Sequence, residues 1–119
     1  MDTWELDYYE TSSGSCPVQA FLDSLSPREA ERVIRKLDLL EALGTALDPP
    51  HVDHVDGRIW ELRITGSIQH RVFYAVITGR RIVLLHAVTK KTPKARRKDI
   101  RLANQRLIDH EERHGDEAS

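Results

Sequence analysis

The hydrophobic pattern is densest between Ile59 and Thr92, where three apolar runs follow one another: IWELRI, HRVFYAV and RIVLLHAVT. These runs are rich in β-branched and aromatic residues, and short polar segments containing glycine separate them. Both features are typical of β-strands joined by tight turns. The stretch therefore predicts three consecutive antiparallel strands around which the rest of the chain is organised.

Two amphipathic helices are predicted before these strands. The first begins at Pro17 and places apolar residues on one face, namely Val18, Phe21, Leu22 and Leu25. The second begins with Ser26 as its N-cap, Pro27 as its first residue and Glu29 as the capping-box partner. It ends near Gly44, and its apolar face comprises Ala30, Val33, Ile34, Leu37 and Leu40. We expect the two helices to form a hairpin that packs against the sheet.

The two ends of the chain carry weaker patterns. Residues 4–9 alternate loosely between apolar and polar and predict a first strand. Pro93 ends the last strand, and a further helix is predicted from Lys94 or Ala95, with an apolar stripe of Ile100, Ala103, Leu107 and Ile108. From Asp109 onward the charged tail is expected to fray.

The segment Thr45–Asp56 is predicted to be a loop, because Pro49-Pro50 favours an extended backbone. It contains possible metal ligands, His51, Asp53, His54 and Asp56, but their spacing matches no metal-site signature, and a solvated loop is the favoured interpretation. Together these patterns predict one α+β domain over residues 1–119. It comprises a small antiparallel sheet of about four strands, an N-terminal helical hairpin packed on that sheet and a C-terminal helix.

The turns determine which side chains share a face of the sheet. We predict a two-residue type II′ turn at Gly79-Arg80 and an odd-length loop centred near Ser67. The cross-strand pairs expected from these turns are Thr78–Arg81, Phe73–His86, Arg71–Val88 and Arg63–Arg71. One face then gathers cationic and imidazole side chains toward one end, namely Arg63, Arg71, His86 and Lys90.

The opposite face is predicted to receive the helical hairpin and carries Trp60, Leu62, Ile64, Val72, Tyr74, Val76, Val83 and Leu85. His70 and Lys91 point to this side as well. Beside its basic end, the first face is apolar at Phe73, Ala75, Ile77, Ile82 and Leu84. Either the C-terminal helix or a partner protein must cover these residues.

The net charge of −1 conceals a strong asymmetry along the chain. Residues 1–57 contain 4 Lys or Arg against 12 Asp or Glu, whereas residues 58–101 contain 12 against 2. Such a basic block indicates either a site for a polyanion or a solvated cationic face that pairs with the acidic half of the molecule.

Cysteine usage and hydropathy suggest a compartment. Cys16 is the single cysteine, so the chain forms no internal disulfide, and a reducing cytosol is the expected environment. The acidic N-terminus does not resemble a signal peptide, and no apolar segment approaches the length of a membrane span. We therefore expect a cytoplasmic protein with no membrane partner.

The pairing of Arg63 with Arg71 calls for an anion, because like charges facing each other across strands are destabilising. RNA phosphate would meet this need, and so would Glu5, Glu61 or another acid of the chain. The run KKTPKARRK places more cations at the start of the C-terminal helix, where they oppose the helix dipole and favour an external anion. A solvated basic face is the alternative.

The ordered motifs ELR, HRVFYAV, LLH and TKKT, preceded by PVQAFLDSL and Gly44, resemble the RelE/ParE superfamily of toxins from type II toxin–antitoxin pairs. The similarity is greatest to the HigB-like, phage-derived branch, and it spans roughly residues 17–107. It implies a RelE-like fold and ribosome-dependent cleavage of mRNA by an endoribonuclease (an mRNA interferase). It also implies neutralisation by a helix-turn-helix antitoxin, with no cofactor.

Metal-independent RNA cleavage uses the ribose 2′-hydroxyl as nucleophile and needs a base, an acid and cations for the developing phosphorane charge. On the resemblance, we assign catalysis to Arg63, Arg71, Lys90 and Lys91. The arginines would clamp the scissile phosphate, and Lys90 is the candidate base or acid. The predicted RNA-binding residues are Lys94, Arg96, Arg97, Lys98 and His70. His86 lies on the same face, but its apolar neighbours favour a satisfied, buried histidine.

Two further functions are compatible with this sequence. One is a non-catalytic inhibitor of the same fold that binds a protein target such as a topoisomerase, and the cationic cluster argues against it. The other is a non-catalytic nucleic-acid-binding module, which would bind with strong salt dependence and cut nothing.

Overall fold

The computed structural model describes residues 3–90 and 97–115. Within these ranges the elements follow the order β1 (Glu5–Tyr8), α1 (Pro17–Ser24), α2 (Pro27–Leu43), a 3-10 turn (Gly44–Ala46), β2 (Val52–Asp56), β3 (Ile59–Ile64), β4 (His70–Ile77), β5 (Arg81–Thr89) and α3 (Arg97–Arg113). None of these helices has the length and apolar character needed to cross a membrane.

The strands form one mixed sheet in the order β1-β5-β4-β3-β2. Neighbours are antiparallel except β1, which pairs in parallel with β5. The predicted α+β fold is therefore confirmed, and the sheet has a fifth strand and a parallel edge that the sequence patterns did not predict. The prediction of a loop was wrong for Val52–Asp56, which pairs with β3 as an edge strand. The sequence pattern did not predict this strand, because several of its side chains are polar and lie partly or fully in solvent.

The turn between β4 and β5 contains three residues, Thr78, Gly79 and Arg80, because Ile77 pairs with Arg81. Gly79 and Arg80 both have positive φ, at 77° and 58°. The predicted two-residue turn is therefore wrong by one position at this end of the hairpin.

A β-bulge in the same hairpin restores the predicted register further along. The pairing shifts between Phe73 and Tyr74, so Phe73–His86 and Arg71–Val88 form as expected. Between turn and bulge the faces of β5 are reversed: Ile82 and Leu84 join the core beneath α1 and α2, and Val83 and Leu85 join the core beneath α3. The sequence assignment of these four residues was wrong, because a one-residue slip exchanges the faces of a strand.

The two helical layers lie on opposite faces of the sheet. The hairpin of α1 and α2 covers one face through Val18, Leu22, Val33, Leu37 and Leu40. Helix α3 covers the other through Ala103 and Leu107, which pack with Phe73, Ala75 and Ile77. The C-terminal helix, rather than a partner, thus covers the apolar face that the sequence left open.

The start of α2 follows the predicted cap only in part. Ser26 Oγ accepts a hydrogen bond from the Glu29 backbone N–H at 3.3 Å. The Glu29 carboxylate does not complete a capping box, and instead contacts Arg32 and the ring of His70, 2.8 Å away. This contact ties the first turn of α2 to β4.

The C-terminal half of α3 is held to the segment that follows β1. Tyr9 donates its hydroxyl hydrogen to Asp109 at 2.7 Å, and Arg113 binds both that carboxylate and the Glu10 carbonyl. His110 is buried, with 4% exposure. The expected fraying from Asp109 is therefore wrong as far as Arg113, because these contacts anchor the last turn.

Candidate active site

An open cavity of about 770 Å³ lies where the end of β5 meets the first turns of α3. Four cationic side chains line it: Arg71 from β4, Lys90 after β5, and Lys98 and Arg101 from α3. Asp99 contributes a carboxylate, and His86 contributes an imidazole. Such an excess of cations around one concave surface suits an anionic ligand.

The structure brings together three of the residues predicted for the site: Arg71, Lys90 and Lys98. The Arg63–Arg71 pairing is confirmed, but Arg63 lies outside the cavity lining. Arg97 lines a smaller cavity beside Asp56 and Asn104. The remaining predicted cations, Lys91, Lys94 and Arg96, lie outside the described residues.

His70 does not reach the cavity lining. It is 2% exposed, and its ring nitrogens lie 3.2 Å from Thr89 Oγ1 and 2.8 Å from Glu29 Oε1. Its burial beneath α2 conflicts with the predicted RNA contact, because a ring enclosed on that face of the sheet has no path to a bound strand. His70 is thus held within the fold by Thr89, Glu29 and Phe21.

An acid of the chain meets the two opposed arginines. Glu61 Oε1 accepts a hydrogen bond from Arg63 Nε at 2.8 Å, and Glu61 Oε2 lies 3.1 Å from Arg71 Nε. Asp53 adds a second contact to Arg63 at 3.0 Å. The hydrogen bond that Arg63 donates to Glu61 is the main cause that raises the pKa of Arg63. Glu61, one of the acids considered in the sequence analysis, therefore lies between the two arginines. Its negative charge offsets the repulsion between Arg63 and Arg71 within the fold.

His86 joins β5 to α3. Its Nε2 lies 2.9 Å from Asp99 Oδ1, its Nδ1 lies 3.4 Å from Arg106 Nη1, and its ring stacks on Phe73. A guanidinium can only donate, so Nδ1 accepts and the Nε2–H donates to Asp99. The prediction that His86 is satisfied is confirmed, but the ring is half-buried rather than buried. Because both nitrogens are engaged, we interpret His86 as a residue that positions α3 beside the cavity.

Burial lowers the pKa of His86, and nearby Arg106 and Lys98 lower it further, while Asp99 opposes the shift. The folded state therefore favours neutral His86, and below about pH 6.5 the unfolded state binds more protons. We expect the free energy of unfolding to fall as the pH drops from 7.5 to 5.5, and His86→Gln to flatten this dependence. Urea unfolding at both pH values measures the effect, and equal slopes for the two proteins would contradict it.

Sequence reasoning missed Asp99 and Arg101. A signal existed, because Lys98, Arg101, Leu102 and Gln105 have the spacing of one helical face, and all four line the cavity. The contact between Asp99 and His86 could not be inferred, because it depends on how α3 docks on β5.

The histidines of the predicted loop have local partners. His51 Nδ1 lies 2.6 Å from Lys36 Nζ, and His54 Nε2 lies 2.6 Å from the Gly57 carbonyl oxygen. Among the described residues, no group of three or more His, Cys, Asp or Glu side chains is arranged to hold a metal ion.

A family described as phage-derived protein Gp49-like matches residues 20–108. The matched range contains α2, β2 to β5 and every residue that lines the cavity. The chain belongs to the Gp49-like family. This is a RelE-like toxin family, so the coarse resemblance seen in the sequence is confirmed, whereas the HigB-like branch remains a prediction. No curated protein matches the chain.

Membership in the Gp49-like family points to the toxin of a toxin–antitoxin module, and hence to an antitoxin partner. The cationic cavity is the candidate site of this Gp49-like chain for an anionic target of the toxin.

Proposed function

We propose that this Gp49-like protein is the toxin of a type II toxin–antitoxin pair and cleaves mRNA on the ribosome. The observation that carries the proposal is the convergence of Arg71, Lys90, Lys98 and Arg101 on one cavity. RNA phosphates are the anions that such a cavity would accept in a translating cell.

The proposed chemistry is attack of a ribose 2′-hydroxyl on the adjacent phosphorus, without a metal ion. The 2′-hydroxyl loses its proton, the leaving 5′-oxygen gains one, and cations stabilise the charge that develops on the phosphorane. Arg71 would hold the scissile phosphate, and Lys90, half-buried at the cavity, is the proposed proton-transfer group. Lys98 and Arg101 would hold flanking phosphates.

The remaining predicted cations extend this site. Arg63 is proposed to act beside Arg71 from the neighbouring strand β3. Lys91, Lys94, Arg96 and Arg97, which follow β5 in the sequence, are proposed to contact RNA. Arg97 and Arg101 both line the neighbouring cavity. The bound RNA would run across the start of α3 between the two cavities. His70 is excluded from this proposal by its burial.

The proposed regulator is a helix-turn-helix antitoxin acting in the cytoplasm. Its carboxylates would compete with RNA for the cations of the cavity. Topoisomerase inhibition is the alternative for a protein of this fold that cuts nothing.

The deciding experiment compares a short mRNA free in solution with the same mRNA in a translating ribosome. We expect cutting only on the ribosome, with a 5′-hydroxyl on the downstream product, because the 2′-hydroxyl is the nucleophile. A matched mRNA with a 2′-deoxyribose at the cut site should not be cleaved there.

Other results would redirect the proposal. Equal cutting of free mRNA would contradict ribosome dependence, and cutting of the deoxyribose substrate would contradict the 2′-hydroxyl mechanism. Salt-dependent RNA binding with no cutting would instead indicate the non-catalytic binding module.

A further inference from the structure

Glu61 is the most deeply buried carboxylate among the described residues, with 1% exposure. It lies in β3 on the face of the sheet that α3 covers. Burial of a carboxylate is costly unless cations compensate it closely. The two arginines that Glu61 contacts therefore account for its presence there.

The contacts of Glu61 are divided between its two oxygens. Oε1 binds Arg63 at 2.8 Å, and Oε2 forms an ion pair with Arg71 at 3.1 Å. The side chain of Arg63 is 37% exposed, whereas that of Arg71 is 4% exposed and lines the cavity. One buried anion thus bridges an outer arginine and the arginine of the cavity.

Asp53 provides a natural comparison. It carries the same charge and contacts Arg63 at 3.0 Å, but its side chain is 50% exposed. Glu61 forms an ion pair with Arg71, whereas Asp53 forms one with Arg63. Loss of either carboxylate makes the cluster more positive by one charge and removes one contact of Arg63, and loss of Glu61 also removes an ion pair of Arg71.

We propose that Glu61 is a positioning residue that fixes the guanidinium of Arg71 in the cavity wall. This inference rests on the proposed function and deepens it, because it separates binding of RNA from cutting. The carboxylate reduces the positive charge near the cavity and so weakens RNA binding. It also prevents Arg71 from turning away from the phosphate that it must hold.

The test compares Glu61→Gln with its matched control Asp53→Asn. Both variants should bind an uncleavable 2′-deoxy-substituted mRNA more tightly at low salt, by about threefold, because each removes one negative charge. Only Glu61→Gln should cut ribosome-bound mRNA more slowly, by about 10- to 100-fold, because Arg71 is misplaced. Asp53→Asn should cut within about twofold of the wild-type rate, because Arg63 keeps its hydrogen bond to Glu61 and the ion pair of Glu61 with Arg71 is untouched.

A second variant covers the case in which Glu61→Gln does not fold. Glu61→Asp keeps the charge and retracts the carboxylate by one methylene, so it should slow cutting without changing RNA affinity. The proposal is overturned if a folded Glu61 variant cuts as fast as Asp53→Asn.

A spectroscopic measurement separates this proposal from the proposed function. The Nε–H resonance of Arg71 in the NMR spectrum should shift in Glu61→Gln and stay unchanged in Asp53→Asn. If the wild-type protein cuts nothing, the proposed function fails, and this resonance still decides whether Glu61 positions Arg71. An unchanged resonance in Glu61→Gln would refute that role.

Discussion

Replacement of Arg71 by alanine is expected to slow cutting of ribosome-bound mRNA by about 100- to 1,000-fold, the range seen when one preorganised charge-stabilising donor is removed. Arg71 combines burial, at 4% exposure, with a place in the cavity wall. A cation in such a site acts on the phosphorane charge with little screening by water. If it is removed, solvent does not supply the same stabilisation of that charge. The rate of product formation on the ribosome measures the effect.

Two controls make the Arg71 result interpretable. Arg35→Ala removes the same charge from α2, where the side chain is 75% exposed and pairs with Glu31, and it should cut at the wild-type rate. Arg71→Lys keeps the charge but loses the guanidinium fork, so it should recover only part of the activity. Thermal unfolding must show that each variant is folded. A folded Arg71→Ala protein that cuts within about threefold of wild type would remove Arg71 from the site.

Replacement of Gly44 by alanine is expected to destabilise the fold by about 2 to 5 kcal/mol, because backbone strain and overcrowding add together. Gly44 ends α2 with φ of 52° and ψ of −123°. A β-carbon there would lie 2.0 Å from Nε1 of Trp4. The indole packs against the core beneath α1 and α2, and the Trp4 backbone N–H donates to the Glu41 carbonyl at 2.8 Å. Relief of the clash would therefore disturb the segment leading into β1.

Gly57 supplies the matched control for Gly44. Its φ is 48°, close to that of Gly44, but no heavy atom lies within 4 Å of the position of a β-carbon. Gly57→Ala should therefore show the backbone strain alone, about 1 kcal/mol. Urea unfolding measures both variants, and a loss of stability in Gly44→Ala no larger than that in Gly57→Ala would show that the contact with Trp4 is unimportant.

Local sequence patterns were sufficient to predict the elements whose apolar residues recur with one clear spacing. The capping residue Ser26, the amphipathic spacing of α2 and the β-branched runs of β3 to β5 each restrict the backbone within a few residues. The same reasoning failed for β2, whose polar positions face solvent at an edge. It also failed at the turn before Arg81. A three-residue turn followed by a bulge pairs Phe73 with His86, and the two-residue turn that was predicted would have given the same pair.

Sequence reasoning also predicted part of the candidate site and missed the rest. Sequence reasoning proposed Arg71, Lys90 and Lys98, which line one cavity, and placed Arg63 opposite Arg71, because strand register and motif order carry that information. It did not find Asp99 or Arg101, and it left open whether phosphate or an acid of the chain meets the arginines. Glu61 stands two positions before Arg63, yet its bridging role depends on β4 lying beside β3.

The sequence alone determined the α+β class, the order of most elements and the basic character of the region around β5. These properties follow from local periodicity and composition, which act over short stretches of chain. Only the tertiary structure decided that α3 covers the second face of the sheet, that His86 meets Asp99 and that Glu61 bridges two arginines. Each of these contacts joins residues from different elements, and their formation depends on packing and on the cost of burying charge, neither of which a local pattern records.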